Sequence, residues 1–499
     1  MSLQHYDVLI IGAGISGIGA AYYLQDQRPG TRYAILEARG DLGGTWDLFR
    51  YPGIRSDSDF FTFGYDFKPW TSDNALADGP AIKAYIAETA RENGIDTHIR
   101  YHHRVLRVDW SSRERLWSVE VERADTGERS LLRTRWIFSG TGYYRYDEGF
   151  TPHFEGREDF AGRIVHPQHW PEDLDWRGQK VVVIGSGATA VTLVPSMAPS
   201  AAHVTMLQRT PTYILPIPSR DPIARRLRPL LGDRVAHAIA RRFNIAKQKW
   251  FFTFAQRFPK LARKLIRGIN RKMLPDGYPV DVHFNPPYNP WDQRLCAVPG
   301  GDLYREISAG RASVVTDRIA RFTASGIQLE SGDHLDADLI VTATGLNLLP
   351  FGGIELAIDG TLIDASDTVA FKGMMLSGIP NLAFAIGYTG SSWTLKVGLV
   401  CEHFCRLLAH MDAHGLEVCT PMADPGMETL PLLNFGAGYV QRSLSSLPRQ
   451  GARFPWAMSW NYFADEKMFR HGEVADRHLR FEGRPAQQAE PAPAREVSA

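Results

Sequence analysis

Two short glycine-rich turns in the chain have the residue types and spacing that bind phosphate groups. Each turn follows an apolar run and precedes a helical pattern, and the two lie about 170 residues apart. The first glycine of such a turn permits a tight bend, the second lets the backbone approach a pyrophosphate, and the third position packs helix against strand. The helix N-terminus then offers free N–H groups and a positive dipole end to the phosphates. The predicted phosphate-binding residues are Gly12, Gly14, Ser16 and Gly17 in the first turn, and Gly185, Ser186, Gly187, Ala188 and Thr189 in the second, where Ala190 replaces the third glycine.

The residue at the end of the following strand distinguishes the two nucleotides. Glu37 lies twenty residues after Gly17. A carboxylate there accepts hydrogen bonds from both ribose hydroxyls and repels a 2′-phosphate, so the first turn suits FAD or NAD. The matching position in the second unit is Gln208, followed by Arg209 and Thr210. Because an arginine can hold a 2′-phosphate through two parallel hydrogen bonds, we predict NADPH at the second turn. The alternatives are a purely structural turn and an exposed arginine with no ligand.

Two further segments carry fixed residue patterns. The segment between the two units reads Phe-x-Gly-x-x-x-His-x-x-x-Trp-Pro, and residues 43–57 contain a glycine pair, a tryptophan, an aromatic-Pro-Gly step and a final aspartate. The residues of the first pattern are Phe160, Gly162, His166, Trp170 and Pro171. Together with the two turns, these patterns resemble the signatures of the type I Baeyer–Villiger flavin monooxygenases. Blocks at 48–59, 166–175 and 288–296 resemble the ethionamide-activating branch of that family, and the resemblance extends from about Tyr6 to Phe481.

The resemblance implies a flavin-dependent oxygenation. In the family, NADPH reduces bound FAD, O₂ is activated as a C4a-peroxyflavin, and oxygen is inserted into a small apolar ketone to give an ester or a lactone. Sulfur is often oxidised as well, so a sulfide or thioamide is the other expected substrate. The alternatives are a mainly sulfur- or nitrogen-oxidising flavin monooxygenase and a non-catalytic FAD- and NADPH-binding protein associated with membranes.

The resemblance also implies two catalytic residues. Arg294 matches the family's active-site arginine, and a permanent cation beside the flavin would stabilise an anionic peroxide and an anionic adduct. Asp57 matches the aspartate that holds this arginine, and a buried pair would keep the carboxylate ionised. The alternative is a structural Arg–Asp bridge between domains. Gln293 stands where the family often has a lysine that contacts NADP.

Other residues are expected near the cofactors. Gly44, Thr45 and Trp46 follow the first unit and are expected to border the flavin ring, although Trp46 could equally belong to the core. Trp393 is expected at the edge of the substrate pocket. In the family, His166 and Trp170 couple cofactor binding to domain movement rather than perform chemistry, and a packed histidine is the common alternative for such a residue.

The elements that position these residues follow a repeated order. Apolar strands are predicted at 6–11 and 33–37 around a helix that continues from 18 to 25, and the order recurs with strands at 180–184 and 203–207. Two such units predict an α/β fold with two doubly wound, Rossmann-like dinucleotide-binding domains and a helical insertion. Turns at 140–142 and 343–345 are interpreted as crossings between the domains. We therefore predict a discontinuous FAD-binding domain (1–142 and 375–483) and a discontinuous NADPH-binding domain (150–214 and 301–374).

Residues 215–300 form the predicted insertion, which is strongly basic. Between Arg225 and Lys272 there are fifteen Lys or Arg residues and one acid, Asp233, with aromatic residues among them. Three interpretations remain open: a solvated helical face, peripheral contact of residues 220–272 with an anionic membrane, or nucleic-acid binding. No specific nucleic-acid partner is expected. The tail at 484–499 is predicted to be disordered because it is rich in Pro, Ala and Gln.

The overall composition excludes several other classes. The chain has 499 residues, a net charge of +1 and four cysteines without a Cys-x-x-Cys pair. Neither a metal site nor a dithiol redox centre is therefore expected. No signal peptide or spanning segment is evident, and the expected location is the cytoplasm, with or without peripheral membrane contact.

Overall fold

The computed structural model describes residues 4–293, 295–388, 390–433 and 436–483. Within these ranges the two largest sheets are a mixed sheet of eleven strands and a parallel sheet of five, and each has one glycine turn at the carboxyl end of a parallel strand. Arg294 and the tail predicted to be disordered, 484–499, lie outside the described residues.

The first sheet contains five adjacent parallel strands. Their order is Ile99–Arg100, Tyr33–Leu36, His5–Ile11, Arg129–Ser139 and Leu382–Phe384. The run from Val8 to Ile11 is buried, as expected for a strand covered on both faces. The helices Ile15–Gln27 and Thr394–Ala413 pack against each other and contribute to the core that covers the sheet. Strands His103–Ser111 and Leu116–Arg123 extend the sheet as an antiparallel meander with Arg129–Ser139.

The second sheet has five strands, all parallel. Their order is Ala312–Thr316, His203–Gln208, Lys180–Ile184, Leu339–Thr342 and Arg163–Val165. The helices Ala188–Met197 and Asp302–Ser308 pack together over the core of this sheet. An antiparallel meander, Ile319–Thr323, Gly326–Leu329 and His334–Asp336, completes this part of the molecule.

The chain passes between the two sheets at the turns that the sequence indicated. Strand Tyr144–Gly149 follows the first turn, Leu346–Leu348 follows the second, and the two pair antiparallel side by side. One predicted boundary differs from the structure. Residues 355–363 were assigned to the NADPH-binding domain, but strand Glu355–Ile358 pairs with His103–Ser111 at the edge of the first sheet, and Thr361–Ile363 pairs with it in turn.

The basic segment is helical, and a parallel strand pair closes its base. Strand Ile214–Ile217 pairs with Cys296–Pro299 on either side of the helices Pro222–Arg257, Pro259–Met273 and Val280–His283. Gly232 has φ 74° and ψ 170°, so it breaks the first helix into two pieces. Pro229 precedes this break and cannot donate a backbone hydrogen bond.

The remaining elements are short or peripheral. The remaining helices are Thr45–Leu48, Phe60–Phe63, Gly79–Glu92, Gly438–Gln441 and Tyr462–His471. The 3₁₀ turns are Ile95–His98, Arg157–Asp159, Pro167–His169, Pro350–Gly353, Ala365–Asp367 and Leu444–Ser446. The remaining strands are Ala370–Phe371, Met375–Leu376, Leu416–Pro421, Thr429–Pro431, Arg449–Gly451 and Leu479–Gly483. Within the described ranges, no helix is long and apolar enough to cross a bilayer.

Candidate active site

A cleft of about 740 Å³ lies between the two sheets, and both glycine turns border it. The predicted site residues that line it are Gly12, Gly14, Ser16, Glu37, Gly44, Thr45, Trp46, Asp57, Gly187, Ala188, Thr189 and Trp393. Predicted residues that do not line it are Gly17, Gly185, Ser186, Arg209, Thr210 and the signature residues Phe160, Gly162, His166, Trp170 and Pro171. The cleft therefore joins the two predicted nucleotide sites in one space.

The first glycine turn packs so closely that side chains are excluded. A Cβ on Gly12, which has φ +99°, would lie 2.8 Å from the carbonyl oxygen of Gly140. A Cβ on Gly17 would lie 1.9 Å from the carbonyl oxygen of Gly12. The turn is thus held between its own helix and the end of the neighbouring strand, which leaves the backbone of Gly14 facing the cleft.

Glu37 is held in place by backbone hydrogen bonds from the first glycine turn and from the loop that follows the strand. It is 6 % exposed, and its carboxylate accepts hydrogen bonds from the backbone N–H of Ala13 at 2.7 Å and of Arg39 at 2.9 Å. Burial raises the pKa of Glu37, and the two backbone hydrogen bonds oppose that rise. A carboxylate can accept about four hydrogen bonds. Because Glu37 also lines the cleft, its remaining acceptor capacity fits the ribose hydroxyls of a bound adenosine.

The loop after Glu37 is held by a cluster of charges that the sequence did not reveal. Asp47 is buried and bonds Arg39 at 2.6 Å and Lys83 at 2.7 Å. These two cations lower the pKa of Asp47 against the opposing effect of burial. The backbone of Gly44, with φ +56°, approaches Gly14 so closely that a Cβ would lie 3.2 Å from its Cα. The charge cluster therefore fixes the loop that carries Thr45 and Trp46 against the phosphate turn.

The second glycine turn repeats the packing of the first. A Cβ on Gly185, with φ +138°, would lie 2.3 Å from the carbonyl oxygen of Ala343. The Ser186 hydroxyl donates to the carbonyl of Thr210 at 2.9 Å and so ties the turn to the next strand end. A Cβ on Gly187 would meet no heavy atom of the described residues within 4 Å, its immediate chain neighbours aside, so the backbone there is open to a ligand. Both observations fit a bound pyrophosphate.

Gln208 and Arg209 have different environments. Gln208 is buried, and its amide donates to the carbonyl of His283 at 2.8 Å and to the Thr316 hydroxyl at 2.9 Å. It is therefore a structural residue of the strand end. Arg209 is exposed and forms no ion pair with any residue in the described part of the chain. Its guanidinium is thus available for an anionic ligand beside the second turn.

The stretch from Tyr51 to Asp57 joins the first sheet region to the second. Burial raises the pKa of Tyr51 to about 12, and a hydrogen bond to Thr189 in the second turn opposes the rise. Arg55 forms a salt bridge with Asp302 at 2.5 Å, and both side chains are largely buried. Asp57 is half-buried and lines the cleft, as does Gln293, the residue before Arg294.

The linker signature lies at the crossing between the sheets rather than in the cleft. His166 Nε2 lies 3.1 Å from the carbonyl of Gly345, and Nδ1 accepts the N–H of Gln168 at 3.2 Å. This arrangement corresponds to a neutral histidine with its proton on Nε2, and burial lowers the pKa of His166. A Cβ on Gly149 would lie 1.9 Å from the His166 ring, so the ring contacts both crossings.

The other signature residues are structural in this arrangement. Phe160 packs edge-on against Phe322 in the core below the second sheet. A Cβ on Gly162 would lie 2.3 Å from the carbonyl oxygen of Asp338. Trp170 packs edge-on against Trp176, next to Pro171. These contacts fix the linker against the second sheet.

Trp393 closes the cleft at the start of a long helix. Its indole N–H donates to Ser16 Oγ at 3.2 Å, and its ring lies 5.1 Å from that of Tyr143. Ser16 is therefore bonded to Trp393 beside the phosphate turn. Tyr143 and the neighbouring Tyr146 line the cleft but were missed in the sequence. Their position directly after the first crossing, at the end of a parallel strand, is the signal that could have identified them.

A cleft that joins two Rossmann-like nucleotide sites defines a class of enzymes that bring a flavin and a pyridine nucleotide together. Comparisons with known proteins agree with this class. A family model described as "Flavin-binding monooxygenase-like" matches residues 59–251, and one described as "NAD(P)-binding Rossmann-like domain" matches residues 10–72. The chain is 53 % identical over 486 residues to "FAD-containing monooxygenase EthA" of Mycobacterium tuberculosis, covering 97 % of this chain and 99 % of the relative.

A second relative and two solved structures are consistent with these matches. EthA of Mycolicibacterium smegmatis is 52 % identical over 481 residues, covering 96 % of this chain and 97 % of the relative. The structure "Oxidized steroid monooxygenase bound to NADP" has a TM-score of 0.76 at 22 % identity and covers 96 % of this chain and 100 % of that one. An ε-caprolactone-bound cyclohexanone monooxygenase has a TM-score of 0.73 at 20 % identity, with the same coverage.

The chain belongs to the family of FAD-containing monooxygenases that includes EthA. Its fold is shared with structurally characterised Baeyer–Villiger enzymes. The predicted family, the predicted two-domain α/β fold class and the predicted pair of cofactors, FAD and NADPH, are confirmed.

Proposed function

We propose that this monooxygenase uses NADPH, FAD and O₂ to insert oxygen into small apolar ketones, giving esters or lactones, and that it also oxidises sulfur in sulfides or thioamides. The observation that carries the proposal is the single cleft bordered by both glycine turns and by Asp57. The first sheet region would hold FAD and the second would hold NADPH. FAD, once reduced by NADPH, supplies the electrons and the site at which O₂ is activated.

The chain's own residues bind and orient the two nucleotides. The first turn offers backbone N–H groups to one pyrophosphate, while Glu37 accepts from the adjoining ribose. The second turn offers the same groups at Gly187, where the backbone is open. Arg209 would bond the 2′-phosphate of NADPH, since it is exposed and without an ion pair among the described residues. The contacts of Tyr51 with Thr189 and of Arg55 with Asp302 would hold the two nucleotide-binding regions on either side of one cleft.

Asp57 and Arg294 would stabilise negative charge in the cleft. Asp57 lines the cleft together with Gln293 and Cys296, which lie one position before and two positions after 294 in the sequence. A cation held beside Asp57 in the cleft would stabilise an anionic oxidant and an anionic tetrahedral adduct, because preorganised charge is most effective where water is excluded. Asp57 would act by orienting the guanidinium.

The walls of the cleft support an apolar substrate. Tyr143, Trp393, Leu346 and Leu349 line it, and they offer a mainly apolar surface. Such walls bind a small ketone or sulfide through burial of apolar area and leave the reacting group to the polar residues. Product analysis with linear ketones, cyclic ketones and sulfides tests the proposal. If only sulfoxides or N-oxides form, the protein is a sulfur- or nitrogen-oxidising monooxygenase instead. If NADPH is oxidised and no oxygenated product forms, a non-catalytic protein is favoured.

The sharpest test replaces Arg294 by Ala. We expect ester formation to be lost while FAD remains bound, because FAD is held by the first turn and Glu37. The loss of one preorganised group corresponds to about 3–4 kcal/mol, or at least a hundredfold in rate. Stopped-flow flavin reduction should be measured beside ester yield for each NADPH consumed. Arg294→Lys is the matched control, since it keeps the charge and should retain part of the activity.

Asp57→Ala should produce a milder defect of the same kind, because the cation would remain but lose its orientation. Ester formation by Arg294→Ala at the wild-type yield would contradict the catalytic role. Arg294 would then be one end of a structural bridge.

A further inference from the structure

We propose that the helical insertion docks the protein on the interface of an anionic lipid bilayer. The docking surface consists of the exposed faces of residues 233–257, which follow the Gly232 break, and of the helix Pro259–Met273. We refer to these exposed faces together as the docking surface. The proposal concerns binding alone and does not depend on the reaction in the cleft.

The first helix exposes apolar side chains on a single face. Val235, Ile239, Phe243 and Trp250 are between 42 % and 66 % exposed. Their spacing of four, four and seven residues places them along one side of an α-helix. The opposite side is buried against the rest of the protein, through His237, Arg241 and Asn244, for example. The stripe therefore leaves much of its apolar side-chain surface open to solvent.

The second helix continues the pattern. Leu261, Leu265, Ile269 and Met273 follow at intervals of four residues and are between 36 % and 51 % exposed. An aromatic run connects the two stripes through the turn between the helices. The rings of Trp250 and Phe254 stack at 5.5 Å, and Phe254 lies 5.9 Å from Phe258, which is itself exposed. The two stripes are thus parts of one continuous apolar surface.

Positive charge borders this surface in excess of the acids beside it: Arg242 pairs with Glu466, and Arg267 and Arg271 share Asp281, but the lysines have no acid partner among the described residues. All five lysines of the two helices are exposed: Lys247, Lys249, Lys260, Lys264 and Lys272. None of them forms an ion pair with any residue in the described ranges. Helices with Leu, Phe and Trp on one face and Lys or Arg beside it lie in the plane of a bilayer interface, and each basic residue near an anionic surface adds attraction.

Two other occupants fit this surface less well. A symmetric dimer through this surface would bring the same basic patch of two copies together, so positive charge would face positive charge. A nucleic acid would use the positive charge but would leave the aliphatic stripe at Leu261, Leu265 and Ile269 without a partner, because base stacking requires aromatic rings. An anionic lipid interface satisfies both the charge and the apolar area.

The opposite face of the first helix reaches the wall of the cleft. Gln248 accepts a hydrogen bond from the Ser391 hydroxyl at 2.7 Å, and Ser391 lines the cleft. Phe252 contacts Gly390, where an added Cβ would lie 3.3 Å from its ring. The docking surface and the cleft therefore share one helix.

Vesicle flotation tests the proposal on the purified full chain. We expect recovery with vesicles of phosphatidylglycerol and phosphatidylcholine at low salt, and little recovery with phosphatidylcholine alone. In 1 M salt the screening length falls to about 3 Å, so the recovery should be lost. The double variant Lys260→Gln/Lys264→Gln should weaken partitioning by about 30-fold, from about 1 kcal/mol for each lysine. Arg113→Gln/Arg318→Gln removes the same charge from exposed positions elsewhere and should float like the wild type.

A second pair of variants tests the apolar contribution. Trp250→Gln/Leu265→Gln should weaken partitioning roughly tenfold or more, since both side chains would leave the lipid. Leu362→Gln, at a side chain that is 59 % exposed on the first sheet, is the matched control. Equal recovery with neutral and anionic vesicles, or wild-type flotation of both double variants, would overturn the proposal. So would a dimer on gel filtration that Trp250→Gln converts to a monomer, because the surface would then bind a second copy.

Discussion

We propose that single side chains at two strand ends determine which nucleotide each glycine turn binds. Glu37 is buried, already accepts two backbone N–H groups, and presents a carboxylate where the first ribose would lie. Arg209 is exposed at the corresponding end of the second unit. Under the proposed function, the first site would therefore repel an additional phosphate and the second would attract it, although the two turns have nearly the same backbone.

Replacement of Arg209 by Ala tests this difference. We expect NADPH binding to weaken by roughly 1.5–3 kcal/mol, the magnitude of a hydrogen bond to a charged group, and NADH binding to change little. The preference for NADPH should narrow accordingly. Flavin reduction rates at increasing concentrations of each nucleotide give the measurement, and Arg113→Ala on the first sheet region is the control. Equal reduction of the wild-type flavin by NADH and NADPH would show that Arg209 does not select the phosphate.

The sequence indicated Glu37 and Arg209 as candidate nucleotide-binding residues because both follow a recognisable turn at a fixed distance. It could not show that Gln208 turns inward to His283 and Thr316, since those partners lie 75 and 108 positions away. The charge cluster around Asp47 was missed for a similar reason. Its partners Arg39 and Lys83 are ordinary basic residues until the fold brings them to the same carboxylate.

At the level of elements, the same joint occurs twice. Each glycine turn is packed against the carboxyl end of the neighbouring parallel strand, at Gly140 in the first sheet and at Ala343 in the second. The chain leaves each sheet directly after that strand end. The phosphate turn and the interdomain crossing are therefore parts of one unit, and a distortion of one affects the other.

Gly17→Ala should damage this unit. The new Cβ would lie 1.9 Å from the carbonyl oxygen of Gly12, so the turn or the helix has to move. We expect a loss of bound flavin and a destabilisation of about 1–3 kcal/mol or more, the usual cost of overpacking. The ratio of flavin to protein after purification measures the first effect. Gly268→Ala is the control, because nothing lies within 4 Å of its Cβ position and alanine favours a helix. Full flavin content in Gly17→Ala would contradict the packing argument.

Local patterns predicted these joints well. The strands Lys180–Ile184 and His5–Ile11 agree with the predicted runs to within one residue, and both crossings lie where Gly140 and Gly345 indicated. The edge strand Glu355–Ile358 was not predicted because its partner lies about 250 residues earlier in the chain. A short strand at a sheet edge carries no local signal for the sheet that it joins.

Two buried histidines make the free energy of unfolding of the whole molecule depend on pH. Burial, together with nearby positive charge, lowers the pKa of His237 and of His403 to about 4. His237 is neutral in the fold and accepts the N–H of Trp70 at 3.2 Å. Below the pKa of about 6.5 that a histidine has in an unfolded chain, the unfolded state binds protons that the folded state does not.

The free energy of unfolding should therefore fall as the pH is lowered from about 6.5 towards 4, by about 1.4 kcal/mol per pH unit for each histidine. The stabilisation is fully present above pH 6.5. His237→Gln should reduce the slope, because glutamine can accept the same N–H but does not titrate. Urea unfolding at pH 7, 6 and 5 measures the effect, with the exposed His153→Gln as control. An unchanged slope in His237→Gln would assign the pH dependence to other groups.

The contact of Gln248 and Phe252 with the loop beside the cleft has a kinetic consequence. An enzyme docked through the outer face of that helix would take a lipophilic substrate from the lipid bilayer in which the substrate is dissolved. Its turnover then follows the mole fraction of substrate in the lipid rather than the amount per volume of buffer. Addition of inert vesicles at a constant total amount of substrate would slow the reaction by surface dilution, even though nothing in the cleft had changed.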